Sequence, residues 1–204
     1  MNLPKLPFSM IDVDAETKAL LDSLDRKWYS DGVFPHSVEY LEAVGIKNGI
    51  LYILGRAGKL GQMCFEIRKN LSTGEIEDVA FEHYEPGLVS AMTLSLYEYL
   101  PGTKKRRKQT KEFWRLRDDI IRINKADIDE KIKNITVYQL SLEEVERSLG
   151  IKLQLVDTGK PEKFLDAESE YYLRAEAYKA GADIVVNFQK GSSVGTPVKI
   201  VKNK

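Results

Sequence analysis

The period of the apolar positions changes along the chain, and each change marks an element. Leu20, Leu21, Leu24 and Trp28 recur at helical spacing behind Asp14, whose carboxylate can accept from the free N–H groups of a helix start; Asp31-Gly32 closes that pattern. From Ser37 the period becomes that of strands. Residues 38–46 lead into Asn48-Gly49, a pair that supplies the positive φ angles of a tight hairpin, and Ile50-Leu51-Tyr52-Ile53-Leu54 reads as a central strand. Residues 64–68 set Cys64 and Glu66 against Phe65 and Ile67, which predicts one wet and one buried face. Residues 75–83 give a fourth strand, with Ile76, Val79 and Phe81 as its apolar content. Short connections make these an antiparallel four-stranded meander. Beyond Pro86-Gly87 a helix is predicted over residues 88–100, with Leu88, Met92, Leu96 and Tyr99 on one face, until Pro101-Gly102 stops it.

Residues 103–135 carry the longest helical pattern. Phe113, Leu116, Ile120 and Ile123 keep the three-to-four spacing, and Ile128, Ile132 and Ile135 continue it after a small drift. Helical from Thr110 to Lys133, this stretch would be about 36 Å long; the alternative is two helices with a break near Asn124-Lys125. After it come a short strand over residues 136–138 and a capping box, Ser141 with Glu144, whose helix ends at Gly150. A strand at 151–156, a helix at 166–180 and strands at 184–188 and 197–201 follow. The expected fold class is α+β: residues 1–102 form an N-terminal helix, meander and following helix, residues 103–135 a basic helical connector, and residues 136–204 a small helix-on-sheet module.

Composition adds compartment and charge to this outline. The 204 residues are 43% apolar and 30% charged with zero formal net charge, an ordinary globular balance that argues against general affinity for nucleic acid. The charge is unevenly spread, however. From Lys104 to Arg117 the chain places eight cationic side chains against one acidic one, Glu112, so the remainder carries the compensating negative charge. The lone Cys64 excludes an internal disulfide and a thiolate metal cluster. No signal-peptide pattern and no apolar run near the ~20 residues of a membrane span are visible, so a cytoplasmic protein is expected.

Residues 175–188, AEAYKAGADIVVNF, and residues 195–201, GTPVKIV, resemble the end of the YbjQ-type family, whose members carry a heavy-metal-binding label. Ala180-Gly181-Ala182-Asp183, Val185-Val186 and Gly195-Thr196 stand where that family has its Gly-Ala step, its Val-Val strand and its closing Gly-Thr strand. The resemblance spans residues 168–202 and implies a small α+β module that self-associates into rings, hence a homo-oligomer. This segment holds neither Cys nor His, so metal binding by it does not follow.

The strongest candidate chemistry is the basic run. Lys104, Lys105, Arg106, Arg107, Lys108, Lys111, Arg115 and Arg117 could hold the phosphates of a nucleic acid, another polyanion or a membrane surface, with Trp114 adding base stacking or a cation–π contact; the alternative is a solvated linker whose charges are simply surface, with Phe113 and Trp114 buried in the core. A second reading is a metal-dependent hydrolase or nuclease built on Glu77, Glu82, His83 and Glu85, with Glu77 and His83 on one face of a strand. His36, after Pro35, has no carboxylate nearby in the predicted loop and reads as ordinary surface. The glycine-rich residues 55–61 lack the Ser/Thr of a phosphate loop and link strands; residues 191–196 likewise form a strand-to-strand turn. No motif names a reaction, and none calls for a cofactor. A non-enzymatic binding or assembly protein is the leading expectation.

Overall fold

The computed structural model describes residues 10–11, 13–84, 101–158, 164–189, 191 and 193–201. The helix expected over residues 88–100 and the candidate ligand Glu85 lie outside them. The chain is a mixed α+β protein that divides into two compact units, Met1–Ala126 and Asp127–Lys204.

In the first unit Asp14 caps helix α1 (Ala15–Ser23), its Oδ1 accepting from the Thr17 N–H at 2.7 Å. The helical pattern does not reach Trp28. A 3-10 turn over Leu24–Arg26 ends it, and Trp28–Ser30 becomes strand β1, paired antiparallel with β2 (Pro35–Lys47). Strands β3 (Ile50–Ala57), β4 (Met63–Asn70) and β5 (Ile76–Glu82) complete a sheet in the order β1-β2-β3-β4-β5, so it has five strands rather than four. Asn48 and Gly49 turn the chain from β2 to β3 with φ of 52° and 75°, as their pairing in sequence requires.

Both faces of this sheet are covered. Leu21 and Leu24 pack with Tyr29, Leu41, Val44, Ile53, Phe65 and Ile67 on one face. On the other, Ala43, Leu54, Cys64 and Phe81 meet Phe113 and Ile120 of helix α2, which runs unbroken over Thr103–Asn134. The face expected to be wet is therefore buried: Cys64 is fully inaccessible, and Glu66, 5% exposed, is held by Arg68 on the next turn of the pleat. Alternation along β4 could not show this, because the cover comes from a helix some forty residues later. Gly45 lets that helix approach; a Cβ there would stand 2.6 Å from Ile120 and 2.7 Å from Asn124. Asn124 itself, 1% exposed, donates from Nδ2 to the Val44 carbonyl at 2.9 Å.

The second unit takes α2 from Asp127 onward, so residues 103–135, expected to be a connector, are divided between the two units. Its sheet has the order β6-β9-β10-β7, where β6 is Thr136–Val137, β7 Leu153–Leu155, β9 Ile184–Gln189 and β10 Val194–Ile200. A short β8 (Leu165–Asp166) also pairs with β10, and β6 runs parallel to β9. Helix α3 (Leu142–Leu149) has the expected capping box and ends on Gly150 at φ 65°. It covers one face of the sheet through Val145 against Ile184, Val186 and Val198. Helix α4 (Glu170–Lys179) covers the other through Leu173 and Ala177 against Val185 and Phe188.

Candidate anion-binding face

Within the first unit, α2 sorts the basic run into two sets by helical phase. Phe113, Ile120 and Asn124 define the face turned to the sheet; Arg106 and Arg117 lie near the same angle and are drawn in with them, while Arg107 stands on the flank of the helix. Arg106 extends its Nε to Glu82 at 2.7 Å. Arg107 donates from Nη2 to the Tyr84 hydroxyl at 3.0 Å and lies 5.0 Å from the centre of that ring. Arg117 pairs with Asp118 at 2.9 Å, and its buried Nε stands 3.6 Å from Glu42.

Lys104, Lys108, Lys111 and Arg115 form the second set. Their spacing of four, three and four residues keeps them within a narrow arc opposite Phe113, and all are exposed. They make a straight row of about 16 Å along the helix at 1.5 Å per residue. Lys105 is exposed one position to the side. Glu112 reaches Lys108 at 3.8 Å, an open pair on the surface; among the described residues Lys104, Lys105, Lys111 and Arg115 meet no acidic partner.

The first turn of α2 contains no acid, and Lys104, Lys105 and Arg106 occupy it. This reverses the usual preference, since the free N–H groups of a helix start carry partial positive charge and cations there are unfavourable. Lys104→Glu with Lys105→Glu is accordingly expected to raise the stability of the first unit by about 1 kcal/mol, a rise of a few degrees in melting temperature, while weakening polyanion binding. Thermal unfolding followed by circular dichroism checks the first half; an unchanged or lower melting temperature would contradict the helix-dipole account.

Trp114 is not part of the exposed row. It is half-buried, edge-on to Phe113 at 5.2 Å and to His83 at 5.9 Å, with the guanidinium groups of Arg56 and Arg117 at 5.6 and 5.4 Å from its ring centre. Arg56 is tied to Glu42 at 2.6 Å, and its approach to Gly61, where a Cβ would meet it at 2.8 Å, fills the space beside the β3–β4 turn. The ring expected to stack on bases is thus occupied by two arginines of its own chain.

The described residues of the metal reading, Glu77, Glu82 and His83, are not brought together. Glu77 faces Arg68 across the β4–β5 pair, near the start of the strand, and pairs with it at 3.4 Å. His83 lies six residues further, about 20 Å along an extended chain, and its Nδ1 sits 3.5 Å from Cys64 Sγ. Glu82 points to Arg106. Among the described residues no group of three His, Cys, Asp or Glu side chains could hold a metal ion. The contact between Cys64 and His83 escaped the sequence because it depends on register: Cys64 opposes Phe81, and His83 is the next residue on that face.

His36 also differs from its expected surroundings. Its Nε2 lies 3.0 Å from Asp31 Oδ2, while Asp31 Oδ1 accepts from the N–H groups of Val33 and Phe34, both at 2.8 Å. The Phe34 N–H, with help from His36, holds the Asp31 carboxyl down at about 2. Five residues separate the pair in sequence, and the tight tip between β1 and β2 folds them together.

Compared with known proteins, the chain matches no family model, no curated sequence and no solved structure.

Proposed function

We propose that this protein is a non-enzymatic binding module that holds a polyanion along the solvent face of α2. The observation that carries the reading is the row Lys104, Lys108, Lys111 and Arg115: four exposed cations on one side of a helix whose other side is fixed in a core. Cations neutralised by the protein fold, such as Arg106 and Arg117, are not needed for it. Four phosphate or sulfate contacts predict binding to heparin or a nucleic-acid duplex that weakens about 100-fold between about 50 and about 200 mM salt. A titration followed by fluorescence anisotropy measures this. Absent or salt-independent binding would refute the proposal.

Self-association through the second unit is the other half of the reading. The YbjQ-type resemblance of residues 168–202 supports it, together with Tyr171 and Tyr172, exposed side by side on α4. Light scattering is expected to give a mass above that of one chain, and a single-chain mass at micromolar concentration would count against it.

A further inference from the structure

The four most exposed large apolar side chains among the described residues are Val33 at 74%, Phe34 at 63%, Trp28 at 62% and Leu60 at 61%. Scattered exposed apolar residues need no explanation, but these are not scattered. Trp28, Val33 and Phe34 belong to the β1–β2 hairpin, and Leu60 to the β3–β4 turn beside it. Two hydrogen bonds join the hairpin and the turn: Gly58 donates from its backbone to the Ser37 carbonyl at 2.8 Å, and Tyr40 donates from its hydroxyl to the Lys59 carbonyl at 3.1 Å.

The same end of the sheet receives the start of α2. The His83 N–H reaches the Gln62 carbonyl at 2.8 Å, Glu82 holds Arg106, and Thr110 accepts from the Tyr84 N–H at 3.0 Å. Lys47 with Asp119, and Asn124 with Val44, lie toward the opposite end. Apolar tips on β2 and β3 and the cations Lys59, Lys104, Lys105 and Lys108 are therefore displayed at one edge, with β2 and β5 about 14 Å apart at the usual strand spacing.

The tip is also held rigidly. Asp31 binds the Val33 and Phe34 N–H groups, Ser30 Oγ accepts from the Gly32 N–H at 3.1 Å, and Gly32 supplies a φ of 92°. These bonds fix the backbone from which Val33 and Phe34 project.

We infer that this end of the first unit docks on an anionic lipid surface, with Val33, Phe34 and Leu60 entering the headgroup layer and Lys59, Lys104, Lys105 and Lys108 meeting its negative charge. Interfacial binding needs two signals, buried apolar area and electrostatic attraction, and the two are found side by side here. Charge complementarity selects an anionic surface. The aliphatic character of Val33 and Leu60 selects acyl chains over nucleic acid, where flat rings would be expected for stacking. Trp28 stands on the same hairpin, in the residue type that favours membrane interfaces. The inference rests on the reading of α2 as an anion-binding face and names which anion it meets.

The test mixes the full chain with vesicles of phosphatidylcholine alone and with vesicles in which about a third of the lipid is phosphatidylserine. Co-sedimentation with the anionic vesicles only is expected. Val33→Ser with Phe34→Ser should lower that partition ~10-fold and leave heparin binding as it was; Lys104→Gln with Lys105→Gln and Lys108→Gln should lower both. Leu60→Ser carries the same expectation as the tip variant, and far-UV circular dichroism confirms that each variant folds. Vesicle binding unchanged by folded tip variants overturns the inference. So does binding to heparin or an oligonucleotide with none to vesicles, an outcome that leaves the anion-binding reading standing. Binding to neither removes both.

Discussion

With Lys104, Lys108, Lys111 and Arg115 all changed to Gln, affinity for a polyanion at physiological salt is expected to fall about a thousandfold. The reason is counterion release. Each cation that meets a phosphate frees close to one condensed ion, so four lost contacts remove four such terms and flatten the salt dependence by about the same number. The fold should survive. Exposed charges contribute little to stability, within about 1 kcal/mol in total, and none of the four side chains touches the core beneath α2. Anisotropy titrations at several salt concentrations read both quantities. Retained affinity and slope in the folded variant would move the binding face elsewhere on the molecule.

Phe113→Ala, two positions from Lys111 on the same helix, is expected to do the reverse. Phe113 is completely buried, lies edge-on to Phe81 at 6.1 Å, and packs with Ala43, Leu54 and Cys64. Truncating a buried Phe costs about 3–5 kcal/mol through lost transfer energy and the cavity left behind. The loss here should reach the upper part of that range, because Ala43, packed in the same cluster, carries too little side chain to close the gap. Urea unfolding measures it, and a loss below about 1 kcal/mol would show that α2 does not depend on this anchor. Phe113→Leu should recover part of the stability. One helix therefore carries two kinds of residue whose substitution separates binding from folding.

Much of the local architecture was legible because its causes are local. Asp14, Asn48-Gly49, the Ser141 and Glu144 capping box and Gly150 act through backbone groups within four residues, and each does in the structure what its chemistry requires. The helical pattern of residues 103–135 was readable for the same reason. Its continuity was not, since Asn124 is polar and its partner, the Val44 carbonyl, is eighty residues away. Trp28 misled by falling on the helical phase of Leu21 and Leu24, although the 3-10 turn ends that phase before it. The alternation of β4 predicted one wet face, but both faces are buried, because α2 covers the side that carries Cys64 and Glu66.

The candidate site divides along the same line. A count of charge from Lys104 to Arg117 cannot distinguish cations that point outward from those used internally; helical phase can, once Phe113 and Ile120 fix which side is buried. The ring partners of Trp114 were not legible, because Arg56, held by Glu42, reaches it from a strand far earlier in the chain. The carboxylates around His83 looked clustered only because a strand had been compressed into a line of letters. Extended over β5, Glu77 and His83 stand toward opposite ends, Glu77 beside Arg68 and His83 beside Cys64.

The hydrogen bond from Asn124 to Val44 and the one from Tyr84 to Thr110 fasten α2 to the sheet at points fourteen residues apart, both out of contact with water. Between two such fastenings the helix can neither roll about its axis nor slip by a turn, since either motion would strand a buried amide or hydroxyl without a partner. The cations on its outer side consequently form a ruler with fixed graduations. A partner whose negative charges repeat near that interval gains all the contacts for the ordering of a few lysine side chains, and one with another repeat must strain itself to match. Selectivity among polyanions would then come from spacing rather than from any contact that reads their chemistry.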